Sequence, residues 1–536
     1  MKQVFTWPLA AVVFTGSILS GCGGSSDSGP DDSGPPPLTV SKVASCAVGD
    51  RPETALQGQV PAALRQSGYT GFNCNLKLVG QYQGEGGNWS SATFTDGGGR
   101  SCAYHSTAAP NAADGTPIPG RQTPGVPVID MSDRSKPVRV TSLTTPGMLD
   151  PWESLRINHR RQILAAGNAQ NGGVSGGPEV DIYDVSGDCR SPQLLASVKV
   201  GIGTDGGIVA AKMPRGHEGN FAPDGLTYYI GDLRNDTYHA VDITNTTKPK
   251  LISTFDMTKG PFPAGRPHGV SLTNDGNRAY VASLYFPAAG EVSNPDAKLQ
   301  NGFYILDTSE VQARKPNAQM KVISAVAYKD GSVAQHTIPI TVAGKQYLVM
   351  VDEAGSGGLA DPLNVNLKAA CAAGLTPFPM ARIYDISDEK APTVVSKLML
   401  EIHDPKNCAQ VEPDVVGLTT FTYGSHYCSV DNRDNATVLA CSYFNSGIRV
   451  FDIRNPERPK EIAYYNPAPA SSVPGSNHTT RRQWRAGGPD WCASRLDFDF
   501  DKKQLVTMCQ DNGLMVMQFA DGTWPFKEST RSTSHN

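Results

Sequence analysis

The chain has 536 residues, a formal net charge of −4 and a sequence pI near 6.2. Nucleic-acid-binding proteins carry a clustered basic surface, so this charge balance argues against nucleic acid as a partner. With 39% hydrophobic residues, 55 glycines and 40 prolines, the chain can form a large core or one long repetitive fold.

The first 22 residues have the pattern of an export signal. Lys2 precedes an apolar run that is too short to span a membrane and that ends in LSGC at positions 19–22. This ending resembles a bacterial lipobox, whose cysteine is acylated, and Gly23 resembles the next residue of outer-membrane lipoproteins. The resemblance implies a lipid anchor at Cys22 in the bacterial outer membrane, with the protein facing the periplasm or the cell surface. The alternative is a plain secretory signal with a chance cysteine.

The rest of the chain divides by composition. We assign residues 1–22 to the signal peptide and lipobox, and residues 23–45 to a disordered tether, because its Gly, Ser, Asp and Pro residues have nothing to bury. Residues 46–526 are expected to form the folded domain, and residues 527–536 a disordered tail.

Six segments of the folded part repeat one pattern. Each is an apolar strand that ends in Asp, a polar turn that closes at Pro, and a second apolar strand; the aspartates are Asp130, Asp184, Asp242, Asp307, Asp385 and Asp452. An Asp at a strand end accepts hydrogen bonds from backbone N–H groups of the following turn, and Pro presets φ for the next strand. We therefore interpret these aspartates as hairpin residues rather than as calcium ligands or acid–base groups.

Further strand–turn–strand segments, such as GHEGNFAPDGLTYYIGD at 216–232, lie between these hairpins. Together they give four antiparallel strands per repeat, and radial repetition of four-stranded sheets is a β-propeller. Counting gives seven blades, with six or eight as alternatives. The last blade has three strands near the C-terminus, so residues 76–83 are predicted to add its outer strand and close the ring. The predicted fold class is an all-β, seven-bladed β-propeller.

The strands IYDIS at 383–387 and VFDIR at 450–454 resemble the LVIVD-repeat family of extracytoplasmic propellers. The resemblance extends over roughly residues 76–520. It implies the propeller fold and says little about function.

Ten cysteines remain beyond Cys22, an even number that predicts disulfides in an oxidising compartment. None lies in a C-x-x-C motif, which argues against a zinc ribbon or a c-type haem. Two pairs face each other across predicted hairpins, and a third pair is also expected; these pairs are Cys428–Cys441, Cys492–Cys509 and Cys371–Cys408. Partners for Cys46, Cys74, Cys102 and Cys189 stay open.

Four histidines share one position, seven residues before the turn of their hairpin: His217, His268, His336 and His426. The first strand of a propeller blade lines the central channel, so these rings are expected to converge. Trp89 and Trp152 take the same position in the first two blades and are expected to line the channel. The alternative is structural, because a Gly-His pair near this position braces each blade in WD-type propellers.

Converging neutral imidazoles suit transition metals, and in an oxidising compartment we expect copper first, and zinc or iron next. Glu218, Asp232 and Glu353 are candidates for an extra ligand or an acid–base group. Selenium-binding proteins, including methanethiol oxidases, are similar propellers with histidines at a copper site, and this fold-level resemblance implies metal-dependent oxidation of a small molecule. A second hypothesis is a surface propeller that binds protein or glycan through its loops, with structural histidines.

Overall fold

The computed structural model describes residues 40–106, 123–169, 179–200, 215–288, 290–294, 296–418, 420–470 and 489–530. The predicted signal peptide, Cys22 and most of the predicted tether and tail lie outside these ranges. No helix within them is long and apolar enough to cross a membrane.

The strands of the described residues form seven antiparallel sheets, which are the seven blades of a β-propeller. Two short strands come first, β1 (Phe72–Cys74) and β2 (Leu76–Tyr82). Blades 1 to 3 then follow as β3 (Ser91–Thr95), β4 (Ser101–His105), β5 (Val126–Asp130), β6 (Val138–Leu143); β7 (Arg156–Asn158), β8 (Ile163–Gly167), β9 (Val180–Asp184), β10 (Gln193–Val198); and β11 (Gly216–Phe221), β12 (Thr227–Asp232), β13 (Thr237–Asp242), β14 (Lys250–Asp256).

The remaining blades continue in the same order. Blades 4 and 5 are β15 (Arg266–Leu272), β16 (Arg278–Leu284), β17 (Gly302–Asp307), β18 (Lys321–Ala327) and β19 (Ser332–Val342), β20 (Lys345–Ala354), β21 (Ala381–Asp385), β22 (Thr393–Lys397). Blades 6 and 7 contain β23 (Cys428–Val430), β24 (Val438–Ser442), β25 (Ile448–Asp452), β26 (Lys460–Asn466) and β27 (Asp497–Asp499), β28 (Gln504–Cys509), β29 (Gly513–Phe519).

Helices are short and lie in the connections. The α-helices of the described residues are α1 (Ala62–Gln66), α2 (Pro146–Leu149), α3 (Ser309–Gln312), α4 (Val365–Ala372) and α5 (Cys408–Val415). Single 3₁₀ turns occur at Met257–Lys259, Glu291–Ser293, Glu401–His403 and Pro405–Asn407.

The ring closes as the sequence predicted. Strand β2 pairs with β29 and completes blade 7, so the first and last parts of the propeller share one sheet. The count of seven blades is confirmed, and the alternatives of six and eight are excluded.

The repeated aspartates have the predicted hairpin role. In all six, Oδ1 accepts a hydrogen bond from the backbone N–H two residues later, at 2.8 to 3.0 Å. This Asx turn starts the connection between the third and fourth strands of a blade.

The core of the propeller consists of seven apolar clusters, one between each pair of neighbouring blades. The cluster between blades 7 and 1, for example, packs Val506, Met508 and Val516 against Ala103 and Ile129. Each sheet is therefore apolar on both faces and stable only between two neighbours, because burial of both faces removes apolar area from water.

The fourth strand of every blade, counted outwards from the channel, contains a β-bulge. In each case one extra apolar residue interrupts the pairing with the third strand, and these residues are Val79, Val140, Leu195, Ile252, Ile323, Val395 and Ile462. Bulges twist an edge strand and make it a poor template for pairing with another chain.

The residues before the first blade pack against the outside of blades 5 and 6. Strand β1 adds a fifth strand to blade 6, and Val40 and Lys42 form isolated bridges with Met399 and Lys460. The part of the chain that packs on the propeller thus begins before residue 46, inside the segment assigned to the tether. Residues of the assigned tail also contact the propeller, because the Asn432 side chain donates to the Thr530 carbonyl at 2.8 Å.

Five disulfides are present, and they include the three predicted pairs. The four cysteines left open pair as Cys46–Cys74 and Cys102–Cys189, the latter joining blades 1 and 2. Five disulfides indicate an oxidising compartment.

The disulfides close loops of different lengths, which predicts different contributions to stability. Cys102–Cys189 spans 87 residues and Cys428–Cys441 spans 13. Because loop-closure entropy grows with loop length, the double variant Cys102→Ala/Cys189→Ala should lose about 1.7 kcal/mol more unfolding free energy than Cys428→Ala/Cys441→Ala. Urea denaturation of both variants measures this difference, and equal losses would contradict it.

Candidate metal centre

A cluster of three histidines and two glutamates lies at one end of the central channel. The Nε2 atoms of His217 and His268 are 2.9 Å apart, and each is 3.4 to 3.5 Å from Oε2 of Glu153. Nε2 of His426 is 3.2 Å from Oε1 of Glu153 and 3.0 Å from Oε2 of Glu353. The five side chains are 0 to 12% exposed, so the donor atoms are shielded from bulk water.

Irregularities of the innermost strands place the three histidines. In β11 the pair His217 and Glu218 lies opposite one residue of β12, and in β15 the pair His268 and Gly269 lies opposite one residue of β16. His426 repeats this arrangement, because Ser442 bonds to the backbone of both His426 and the next residue. A bulge of this kind turns a side chain away from the regular alternation of the strand.

Gly269 completes the bulge in blade 4. A Cβ atom at this position would lie 2.6 Å from Oε2 of Glu218 and 2.5 Å from the Gln335 carbonyl oxygen. The His-Gly pair is therefore required where two blades approach each other closely.

The two glutamates come from other blades. Trp152 has a positive φ of 44°, and Glu153, the next residue, forms a bridge with Glu218 and donates its backbone N–H to the His217 carbonyl at 3.2 Å. Glu353 lies near the end of β20, and its Oε1 is 3.4 Å from Nε2 of His268. The cluster thus draws one side chain from each of blades 2 to 6.

The inner nitrogens of two histidines are held by backbone carbonyls. Nδ1 of His268 is 2.7 Å from the Gln335 carbonyl oxygen, and Nδ1 of His426 is 2.5 Å from that of Ala493. Since a carbonyl only accepts, each Nδ1 carries a proton and Nε2 faces the cluster. Metal-binding histidines typically have this second contact, which orients the ring.

The charges of the cluster residues are complementary. Burial alone would raise the pKa of Glu153, but His268 and the other histidines lower it to about 2. Burial would lower the pKa of His426, but Glu153 and Glu353 raise it to about 9, and carboxylates likewise raise the pKa of His268 well above its ordinary value. Burial and the charge of His268 lower the pKa of His217 to about 3. The ionised carboxylates therefore attract positive charge, here protons on two imidazoles.

A second layer of charged residues supports the cluster. Oε1 of Glu218 accepts from Arg156 at 2.9 Å and from Arg495 at 2.8 Å, and Oε2 is 3.3 Å from Nδ1 of His268. The Arg495 guanidinium stacks 4.2 Å from the Tyr427 ring centroid. Glu218 thus positions a histidine of the cluster rather than facing its centre.

Aromatic rings cover one side of the cluster. Trp89 lies 5.1 Å from the ring of His426 and stacks on Trp152 at 5.1 Å, which in turn lies 5.9 Å from His217. Trp491 and Phe444 extend this wall. Both predicted tryptophans therefore lie beside the histidines.

Two predicted site residues lie apart from the cluster. Nδ1 of His336 contacts Oε1 of Gln335, and Nε2 is 3.3 Å from the backbone N of Cys428. In β19 the extra residue is Gln335, so His336 pairs regularly with Val351, and it is the Gln335 side chain that reaches Glu153, at 3.3 Å. The shared spacing to the turn therefore does not give His336 the orientation of the other three.

Asp232 has a structural position. Its Oδ2 is 2.9 Å from Nε2 of His239, and its Oδ1 accepts from the backbone N–H groups of Arg215 and Arg234. It braces the end of β12 and does not reach the cluster.

Glu153 is the donor that sequence reasoning did not select. The register count stopped at Trp152, whose positive φ moves the next side chain to the channel. The signal that the sequence offered was a carboxylate directly after the tryptophan that takes the shared histidine position.

Two larger cavities and one further group of acidic residues are separate from the cluster of histidines and glutamates. Two cavities of about 610 and 580 Å³ open among the hairpin turns at the opposite ends of the first strands, around Asn274 and Asp499. Asp96 and Asp188 approach Cys189, but this sulfur is in a disulfide and is not a thiolate ligand.

Comparisons with known proteins add the following. No protein-family model and no curated protein matches the chain. Among solved structures, a candidate 6-phosphogluconolactonase from Bacteroides fragilis is 10% identical, with a TM-score of 0.45 over 78% of this chain and 94% of that one. The Cps50 (Swd1) β-propeller domain from Myceliophteria thermophila is 9% identical, with a TM-score of 0.43 over 82% and 98%. Likeness at this level says nothing of function, and the seven sheets themselves establish the fold.

The second layer generates a stability prediction. Glu218→Gln should lower the unfolding free energy by about 3–5 kcal/mol, because it leaves Arg156 and Arg495 buried without their carboxylate. As a control, Glu528→Gln removes a half-exposed partner of Arg454 and should cost less than about 1 kcal/mol. Urea denaturation compares the two, and similar losses would show that Glu218 does not balance the arginines.

Proposed function

We propose that this propeller is a metal-dependent protein whose centre is formed by His217, His268, His426, Glu153 and Glu353. One observation carries the proposal: five buried donors from five blades converge with neighbouring atoms 2.9 to 3.5 Å apart. An ion bonded at about 2.1 Å has neighbouring donors about 3.0–3.4 Å apart, in octahedral or tetrahedral geometry. The carbonyl contacts of two Nδ1 atoms support the same conclusion.

The donor set also bears on which metal binds. Copper ranked first when the site was expected to consist of four histidines. Two carboxylates add hard oxygen donors, which suit iron, manganese and zinc better than copper. We therefore place iron and zinc ahead of copper for this site.

The surroundings of the centre favour chemistry on a small molecule. A small cavity adjoins Glu353 and is lined by Leu359, Phe378 and Phe421, and Phe421 also contacts the Trp89 ring at 5.9 Å. A bound ion supplies Lewis-acid or redox chemistry. The residues of the chain would hold the ion, and the aromatic wall would limit the access of water; the cavity beside Glu353, of about 20 Å³, has room for a molecule of the size of water. We propose an oxidoreductase of this kind.

We further propose that the protein is exported and anchored through acylated Cys22, as a member of the LVIVD-repeat propellers. The lipobox-like sequence at 19–22 and the repeated IYDIS-type strands support this. The five disulfides are consistent with it, because such bonds persist in oxidising compartments. Mass spectrometry of the N-terminal peptide from bacterial membranes tests the anchor, and an unmodified Cys22 would disprove it.

The first prediction for this site concerns metal content. Protein purified without a histidine tag should contain at least one equivalent of a transition metal, and His268→Ala should contain much less than wild type, because the substitution removes a central donor. His336→Gln is the matched control, because its ring nitrogens contact Gln335 and Cys428 instead, and it should keep the wild-type metal content. Elemental analysis measures both.

A protein without metal, unchanged by His268→Ala, would contradict the proposal and favour the surface-binding hypothesis. Loss of metal in His336→Gln alone would restore the original four-histidine prediction.

The second prediction uses the tryptophans beside the centre. Addition of Co²⁺ to chelator-treated protein should quench indole emission, because Trp89 and Trp152 lie 5.1 and 5.9 Å from cluster histidines. Trp89→Phe/Trp152→Phe should lose most of this quenching. Trp524→Phe is the control, since Trp524 packs with Phe498 and Phe519 in another cluster, and quenching there should persist. Equal quenching in both variants would place the ion elsewhere.

A further inference from the structure

The two carboxylates of the cluster each present their oxygens to different histidines. Oε2 of Glu153 is the oxygen near His217 and His268, at 3.5 and 3.4 Å, whereas Oε1 is near His426 at 3.2 Å. Glu353 repeats this division, with Oε1 3.4 Å from His268 and Oε2 3.0 Å from His426. Both carboxylates therefore lie between His268 on one side and His426 on the other.

The ligand atoms fall into two groups rather than one. Glu153, His217 and His268 form one set whose ligand atoms all lie within 4.8 Å of one another, and Glu153, Glu353 and His426 form a second. Glu153 belongs to both, and Glu353 of the second group also approaches the first, because its Oε1 is 3.4 Å from Nε2 of His268. A carboxylate that shares its two oxygens between two ions is the usual bridge of a dinuclear centre, in which the ions lie about 3.5–4 Å apart.

His426 provides an independent observation for the second position. Its ring is fully buried, and Nε2 makes ion-pair contacts with two carboxylate oxygens, at 3.0 and 3.2 Å, whose angles are too poor for a hydrogen bond. Nδ1 is held by the Ala493 carbonyl. A buried nitrogen left without a hydrogen bond is costly, and a cation between the three atoms would satisfy it.

We propose, building on the metal centre proposed above, that this cluster binds two metal ions bridged by Glu153 and Glu353. The first ion is held by Nε2 of His217 and His268 and by one oxygen from each glutamate. The second ion is held by Nε2 of His426 and by the other oxygen of each glutamate.

The two proposed ions differ in the number of coordination positions that the protein leaves free. The first has four protein donors, and the second has three, so the second ion keeps coordination positions for water or substrate. His426 is also the ligand that contacts Trp89 and Phe444, each at 5.1 Å between rings. A substrate bound to the second ion would therefore lie against the aromatic wall, which suits a small molecule with an oxygen or nitrogen donor on an apolar body.

Titration of chelator-treated full-length protein with Mn²⁺ tests the proposal. Elemental analysis after gel filtration should give two equivalents per chain. Electron paramagnetic resonance should show an exchange-coupled pair, with hyperfine splitting half that of an isolated ion. One equivalent with an isolated-ion spectrum would overturn the second ion and leave the proposed metal centre intact, whereas no binding of Mn²⁺, Fe²⁺ or Zn²⁺ would overturn both. Two equivalents without coupling would overturn the bridge.

Variants then separate the positions. His426→Ala should reduce binding from two equivalents to one and remove the coupling, because the first ion keeps four donors. Glu353→Gln should weaken the coupling, since an amide presents only one oxygen and Glu153 is then the only bridge between the proposed ions. His336→Gln is the control and should keep two coupled ions; circular dichroism verifies folding of each variant. Two coupled ions in His426→Ala would contradict the assignment, and the wild-type stoichiometry decides the proposal even if a variant fails to fold.

Discussion

Mutual burial of neighbouring blades is the constraint on which the rest of this structure depends. Each sheet is apolar on both faces, and each of the seven interfaces between blades has its own apolar cluster. A single blade cannot bury both faces, so the sheets are stable only as a closed ring. Strand β2 closes the ring by pairing with β29, which lies near the other end of the sequence. Bulges in the outer strands then protect the edges that the ring leaves exposed.

The ring also permits a buried polar centre. The innermost strands of the blades line the channel, and their first residues meet at one end of it. Irregular pairing in β11 and β15, and at His426, turns three imidazoles inwards, and Glu153 and Glu353 enter from the neighbouring blades. Buried carboxylates without compensation would be strongly destabilising. Here protonated histidines balance them, and Glu218 is balanced by Arg156 and Arg495. An ion would replace protons in a site whose charges are already arranged.

Sequence reasoning predicted the fold, and several of the residues that it selected lie together in the candidate cluster. The six Asp-to-Pro hairpins and the outer strand at 76–83 sufficed for the blade count, because hairpin turns are local and repeat. The histidine count found His217, His268 and His426, but it also selected His336 and passed over Glu153. Spacing to a turn measures distance along a strand and is blind to an added residue, and the bulge in β19 falls at Gln335 rather than at the histidine. Asp232 also lies apart from the cluster, since its partner His239 lies on the next strand.

The sequence by itself determined the repeat, the number of blades, the hairpin role of the aspartates and two of the disulfides, Cys428–Cys441 and Cys492–Cys509, since each depends on local patterns or on facing positions of one hairpin. The tertiary structure decided which donors meet. Cys102 and Cys189 pair between blades, and Glu153 of blade 2 meets His426 of blade 6 across the channel. Such contacts depend on closure of the ring and on backbone irregularities of one residue, and a one-residue shift reverses the side of a strand on which a side chain lies.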